Sequence, residues 1–143
     1  REGFARKAIE KRDIKKTIRT LNNGGVVWYA PDQSYNRKQS AVIPFFNKPA
    51  MTNIATSVIA KLGNAVVLPF FSRRKENGDY VMTFKEPLKN FPSDDPVSDT
   101  KQYVNILEKQ IRLCPEQYYW IHKKYKNLPV GFKNFYSNLD EWE

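Results

Sequence analysis

Cysteine and histidine are each present once among the 143 residues. The lone thiol, Cys114, excludes an intrachain disulfide framework, and a zinc cluster is nearly excluded with it. Long apolar runs are missing. The longest, around residues 65–71, is far below the ~20 residues a membrane-spanning helix needs. Phosphate-binding glycine loops of the GxGxxG or Walker type are absent, as are internal repeats and low-complexity tracts. No RNA-recognition, KH-loop or zinc-finger signature occurs. Acidic residues are the minority charge, 15 against 24 Lys and Arg, for a net charge of +9. That surplus favours anionic partners: phosphates, nucleic acid or an acidic membrane surface. What is present suffices for a core. Apolar residues make up 41% and aromatics 14%, which argues against a wholly disordered chain. The length suits one domain or a large piece of one. Because the chain opens on Arg1 rather than Met, it reads as a piece of a longer polypeptide.

Asp13 is positioned to cap a short helix through Leu21, with Ile14, Ile18 and Leu21 on one stripe. Asn22, Asn23, Gly24 and Gly25 stop it. Residues 26–30, Val-Val-Trp-Tyr-Ala, are β-branched and aromatic and predict a buried strand, which Pro31 ends. Asp32, Gln33 and Ser34 then fall in the loop past its carboxyl end. A polar loop and the apolar residues 41–46 lead to a second helix, for which Thr52 is a plausible cap. Ile54, Ala55, Val58, Ile59 and Leu62 share its inner side and Gly63 follows its end. Residues 65–68 predict another buried strand. Two strands around a helix predict a βαβ unit with a parallel pair. Asn77-Gly78 predicts a hairpin into a strand over residues 80–84. Ser98 or Asp99 is expected to cap a helix carrying Val104, Leu107, Ile111 and Cys114, and residues 115–126 to form another after Pro115. The fold class is α/β, or α+β if the hairpin dominates.

Ligands of open α/β sheets collect outside the carboxyl ends of strands. Asp32 therefore marks a candidate site, where a carboxylate can orient a base, bind a hydroxyl or hold an arginine; as a plain turn former it would bond its own backbone. His122 sits among Lys123, Lys124 and Lys126, which disfavour its charged form, so it reads as a surface or packing residue. Cys114 reads as core. Arg73-Arg74-Lys75 and the carboxyl-terminal lysines are either solvated faces or a surface for phosphates.

At Gly25-Val26-Val27-Trp28-Tyr29-Ala30-Pro31-Asp32-Gln33 the chain resembles the signature of the late acyltransferases of lipid A biosynthesis, especially the lauroyl-type enzymes. Ile43-Pro44-Phe45-Phe46 with Ala50-Met51-Thr52 looks like that family's apolar segment before a threonine-capped helix. Val66-Val67-Leu68-Pro69-Phe70 with Arg73-Arg74-Lys75 looks like its second marked strand. Residues from Glu108 to Arg112, then Pro115 to Lys126, look like its carboxyl-terminal helix pair. The resemblance extends to about Pro129.

It implies a lysophospholipid-acyltransferase-like α/β fold: a three-layer-like sheet of mostly parallel strands with flanking helices. Residues 1–143 would be the carboxyl-terminal part of a single acyltransferase domain, incomplete without the upstream part. The implied activity is transfer of a fatty acyl chain, lauroyl-like, from acyl carrier protein to a hydroxyl of a phosphorylated glycolipid, a lipid A precursor. The place would be the cytoplasmic face of a Gram-negative inner membrane, with no cofactor and no nucleic-acid partner. The family's base is a histidine separated by four residues from an Asp or Glu. Here Asn127 lies five positions after His122, so His122 is not that residue. Dyad and membrane anchor are expected upstream of Arg1, and this piece alone is expected to be inactive. What carries over is Asp32 as the catalytic-site carboxylate, with Gln33 and Arg1 on the substrate side. Arg73, Arg74, Lys123 and Lys124 are candidates for phosphates or the acidic carrier, and Phe45 and Phe46 for the acyl chain. The alternative from another class is a non-catalytic basic module binding nucleic acid or an anionic membrane surface.

Overall fold

A computed structural model describes residues 7–36 and 38–137. Asp13 caps the first helix as predicted: its carboxylate accepts from the Lys16 N–H at 2.9 Å, and α1 runs Ile14–Asn22. The chain then turns through Gly24 at φ 73°, a conformation that costs glycine nothing.

The centre of the molecule is a hairpin that the residue pattern does not announce. Strands β1 (Ser40–Phe45) and β2 (Lys48–Asn53) pair antiparallel, with Phe45 opposite Lys48. Phe46 and Asn47 form the two-residue connection, both at positive φ (47° and 60°), the type I′ requirement. Asparagine tolerates this readily; phenylalanine does not. The Phe46 N–H donates to Glu108 Oε1 at 2.8 Å, so a distant helix helps to hold the turn.

Thr52 consequently lies in β2 rather than at a helix cap, with 1% of its surface exposed. Asn53 takes the capping role instead. Its Oδ1 accepts from the Ala55 N–H at 2.8 Å, and α2 runs Ala55–Leu62, ending before Gly63 as expected. A Cβ at Gly63 would stand 2.7 Å from Leu21 Cδ1, so the missing side chain is what lets the ends of α1 and α2 touch. The Asn22 amide donates to the Leu62 carbonyl across that contact at 3.3 Å.

Strands β3 (Phe70–Arg74) and β4 (Tyr80–Phe84) form the hairpin that Asn77-Gly78 predicts, with Gly78 at φ 91°. Helix α3 (Pro96–Leu113) starts earlier than expected. Its cap is Asp95, which accepts from the Val97 and Ser98 N–H groups, with Pro96 in the first turn where no N–H is needed. Asp99 is instead buried, accepting from the Ser57 hydroxyl and the Ser93 N–H. Ile43, Phe45 and Ala50 of the first hairpin pack on Val104 and Ile111 of α3. Tyr103, Leu107, Tyr118 and Tyr125 close over that core.

A further expectation fails. Residues 115–126 are not one helix but two short 3-10 turns, Pro115–Gln117 and Trp120–His122. Tyr118 between them is extended and Lys123 is left-handed at φ 56°. Tertiary packing overrides helix propensity here, because Tyr118, Trp120 and Tyr125 all stack around Phe45, with ring centroids 5.9–6.4 Å away.

The expected parallel pair is not seen among the described residues. Segments 26–30 and 65–68 form no strand ladder with each other, and both sheets among the described residues are antiparallel. Val67 and Pro69 accept from the Leu88 and Lys85 N–H groups at 3.0 and 2.9 Å, prolonging the second hairpin on one side only. The elements are therefore α/β in content, while the described strands pair through short turns. Antiparallel neighbours close locally, whereas parallel ones need a crossover to a strand far along the chain. Among the described residues no helix is long and apolar enough to cross a membrane.

Candidate functional site

Pro31 follows the 26–30 segment, and the next four residues are gripped from two sides. On one side the Tyr35 N–H donates to the Met51 carbonyl at 3.2 Å and Ser34 bridges Thr52, so the loop's exit lies along β2. On the other side stands the carboxyl-terminal segment. Lys124 Nζ donates to the Asp32 carbonyl at 2.6 Å, and the Tyr118 hydroxyl reaches the same oxygen at 3.4 Å. The Ser34 N–H donates to His122 Nε2 at 2.8 Å. The Ser34 hydroxyl donates to the Lys126 carbonyl at 2.8 Å and accepts from the Asn127 amide at 3.2 Å.

This backbone is tied down while the carboxylate is not. The half-buried Asp32 side chain makes no hydrogen bond or ion pair among the described residues, and Gln33 beside it is exposed. A plain turn former would spend its carboxylate on neighbouring N–H groups. Asp32 keeps its carboxylate free to accept a proton-bearing group from a ligand or another part of the protein.

The electrostatics follow from burial. Lys124 is 2% exposed, and loss of water pushes its ammonium down to about 8, with the Asp32 charge opposing the shift. Its Nζ also lies 5.2 Å from the centre of the Phe45 ring, where the aromatic face favours a cation. Burial first and the Asp32 charge second hold the Tyr118 phenol far above its ordinary range. Burial first and the Lys126 charge second lower His122. A neutral imidazole whose Nε2 accepts an N–H must carry its proton on Nδ1. His122 is thus a neutral acceptor for the Asp32 loop, with a defined tautomer. Its Nε2 is not free to act as a base.

The other candidates are placed unevenly. Arg1 lies outside the described residues. Arg73 and Arg74 are exposed on β3, next to the same carboxyl-terminal segment. The Gln117 side chain accepts from the Arg74 N–H and donates to the Arg74 carbonyl, at 2.8 and 2.9 Å, and Arg73 contacts Cys114 Sγ at 3.8 Å. Gln117 and Tyr118 are consecutive, so one segment supports both β3 and the Asp32 loop. Lys123 is exposed, its ammonium 5.7 Å from the Tyr136 ring centre. Lys124, its neighbour, is committed to the Asp32 backbone. Phe45 has no exposed surface and belongs to the core, whereas Phe46 is half-buried under the Arg112 guanidinium. Phe46, Ile111, Arg112, Pro115, Trp120 and Tyr125 line a shallow groove of about 370 Å³. Among the described residues no three His, Cys, Asp or Glu side chains converge on a metal-binding geometry.

Ser34, Tyr118 and Asn127 escaped the sequence reading as site residues. Only Ser34 carried a signal, as the fourth residue of the Pro-Asp-Gln-Ser turn. Nothing in the Lys123-Lys124 pair tells the exposed lysine from the buried one.

Comparison with known proteins decides the family. The profile of the bacterial lipid A biosynthesis acyltransferases matches residues 1–127. The chain belongs to this family. It is 35% identical over 130 residues to the lipid A biosynthesis lauroyltransferase of Escherichia coli (strain K12), covering 90% of this chain and 42% of the relative. The palmitoleoyltransferase of the same organism is 36% identical over 134 residues, with the same coverage. A lipid A biosynthesis acyltransferase of Haemophilus influenzae is 27% identical over 124 residues, 85% of this chain and 40% of the relative. The chain thus spans about two fifths of the length of these relatives. The match includes the Asp32 loop and its support as far as Asn127.

Proposed function

We propose that the intact polypeptide is an acyltransferase of lipid A biosynthesis and that this chain supplies the half of its site centred on Asp32. The observation that carries the reading is a carboxylate unpaired among the described residues, on a backbone immobilised from both sides. In this role Asp32 positions the acceptor hydroxyl or the base that deprotonates it, an acid–base strategy that depends on geometry within a hydrogen-bond length. The base, a histidine separated by four residues from an Asp or Glu, would lie in the part of the polypeptide before Arg1, as would the membrane anchor. The donor is a fatty acyl chain on acyl carrier protein, with lauroyl as the working case. The acceptor is a phosphorylated glycolipid at the cytoplasmic face of the inner membrane. Relatives named for lauroyl and for palmitoleoyl transfer are equally similar to this chain, and one or two methylenes are a matter of pocket depth.

Exposed Arg73, Arg74 and Lys123 suit the phosphates of that acceptor or the acidic carrier. The half-buried Phe46 in its groove suits part of an acyl chain. Segments 26–30 and 65–69 fit as strands of a mostly parallel sheet that further residues of the polypeptide complete. Both follow a helix, both begin at the joined ends of α1 and α2, and both leave apolar side chains in water.

The test is Asp32→Ala in the full-length polypeptide, assayed with acyl carrier protein thioester and the glycolipid acceptor. Transfer should fall about tenfold or more while the protein stays folded. Wild-type turnover in a folded variant would sink the assignment. The rival reading, a module that binds membranes without chemistry, predicts instead that anionic-vesicle binding is the only activity and that Asp32→Ala leaves it intact.

A further inference from the structure

The grip on the Asp32 loop has a geometry that packing alone does not require. We propose that His122 and Lys124 act together as a positioning clamp that aims the Asp32 carboxylate, neither of them touching substrate. The two side chains take the loop on either side of Gln33, Lys124 at the Asp32 carbonyl and His122 at the Ser34 N–H. Residues two apart reach the same loop because Lys123 between them is left-handed, which turns the chain at that point. Its own side chain is left in solvent. One clamp member offers only donors and the other an acceptor, so together they satisfy a carbonyl and an amide that the loop cannot satisfy itself.

An ammonium buried to this degree works against stability, and a methionine of similar length would fill the space without that penalty. The cost is explained if the donor is needed where it is. A substituent displaced by about 1 Å in an acid–base site loses on the order of a hundredfold in rate, so a small relaxation of this loop is enough to matter.

The inference rests on the acyl-transfer reading above, and the experiment separates the two. In the full-length polypeptide, Lys124→Met should lower kcat about tenfold with the acceptor KM changed less than about twofold, because it misplaces a carboxylate without removing a substrate contact. Added to Asp32→Ala, it should cost almost nothing more, since a clamp has no effect once its cargo is gone. His122→Ala should behave likewise. His122→Gln, whose Oε1 can accept from the Ser34 N–H, should restore transfer to within about threefold of wild type, which a proton-transferring histidine would not allow.

A rise in acceptor KM at unchanged kcat for Lys124→Met would overturn the clamp and return Lys124 to direct phosphate binding. So would losses that add to those of Asp32→Ala. If Lys124→Met does not fold, the His122→Ala and His122→Gln pair decides alone. Equal losses in those two overturn the proposal, and rescue by Gln supports it. Wild-type turnover in Asp32→Ala would remove the acyl-transfer site itself, a result distinct from every failure of the clamp.

Discussion

Two apolar stretches of similar composition meet opposite fates in this protein. Residues 41–45 are paired and lead into the core, where Ile43 and Phe45 are essentially removed from water. Residues 26–29, equally β-branched and aromatic, leave Val26 and Trp28 98% and 75% exposed. The difference is the distance to a partner. The first stretch meets β2 through a two-residue turn and then lies on α3. The second has no neighbour among the described residues that local chain reversal can bring to it. Hydrophobicity states a need for burial but does not itself supply the surface that would meet it.

The strongest way to break this comparison is at Phe45. Phe45→Ala should cost about 3–5 kcal/mol, read by denaturant unfolding, because it opens a cavity beneath four aromatic rings. A cost near zero would mean that the core is not where the described packing puts it.

Lys124 is next in size, and its signature is a pH slope. The unfolded lysine titrates at 10.5 and the folded one at about 8. Between these values the unfolded chain holds a proton that the folded chain has released, so stability rises with pH through that window. The charge-burial penalty is present in full below pH 8, and relieving it amounts to roughly 3 kcal/mol. Wild type should therefore gain on Lys124→Met by up to that amount between about pH 8 and 10.5. Tyr118 and Tyr125, also held high by burial, oppose the rise but remain in both proteins and cancel in the difference. Parallel stability curves would show that Lys124 is not buried as a cation.

Smaller still is the turn. Asn47→Ala places an ordinary side chain at φ 60° and should cost roughly 1 kcal/mol, whereas Asn47→Gly should be neutral or slightly stabilising. Equal effects of the two would argue against a type I′ connection. The smallest effect is expected at Trp28, where Trp28→Ala in the 143-residue chain should change stability by less than about 0.5 kcal/mol. The same substitution in a longer polypeptide that completes the sheet should cost several times more. Equal costs in both would leave the exposed stretch without the role proposed for it.

Local rules did well wherever the deciding partner was near in sequence. The Asp13 cap, the Gly63 stop and the Asn77-Gly78 hairpin each depend on residues within a few positions. The same rules misplaced the α3 cap by three residues or more, choosing Ser98 or Asp99 when Pro96 favoured Asp95. They also joined residues 115–126 into a helix, because periodicity cannot register three aromatic side chains drawn separately to Phe45. The Phe46-Asn47 turn was invisible for a related reason: its phenylalanine breaks the usual composition, and the supporting carboxylate is Glu108, 62 residues away.

The order of residues by itself determined the family, the cationic balance, the main helices, and Asp32 as the residue to watch past an extended segment. Family signatures and helix caps are local patterns, and they survive being read one stretch at a time. Only the tertiary structure decided that Lys124 is buried while Lys123 is not, that His122 spends Nε2 on an amide, and that the Asp32 carboxylate stays unpaired among the described residues. Each of those is set by hydrogen bonds between residues some ninety positions apart. Burial and partnership at that range belong to the folded arrangement, and no local feature of a lysine run or a Pro-Asp-Gln turn encodes them.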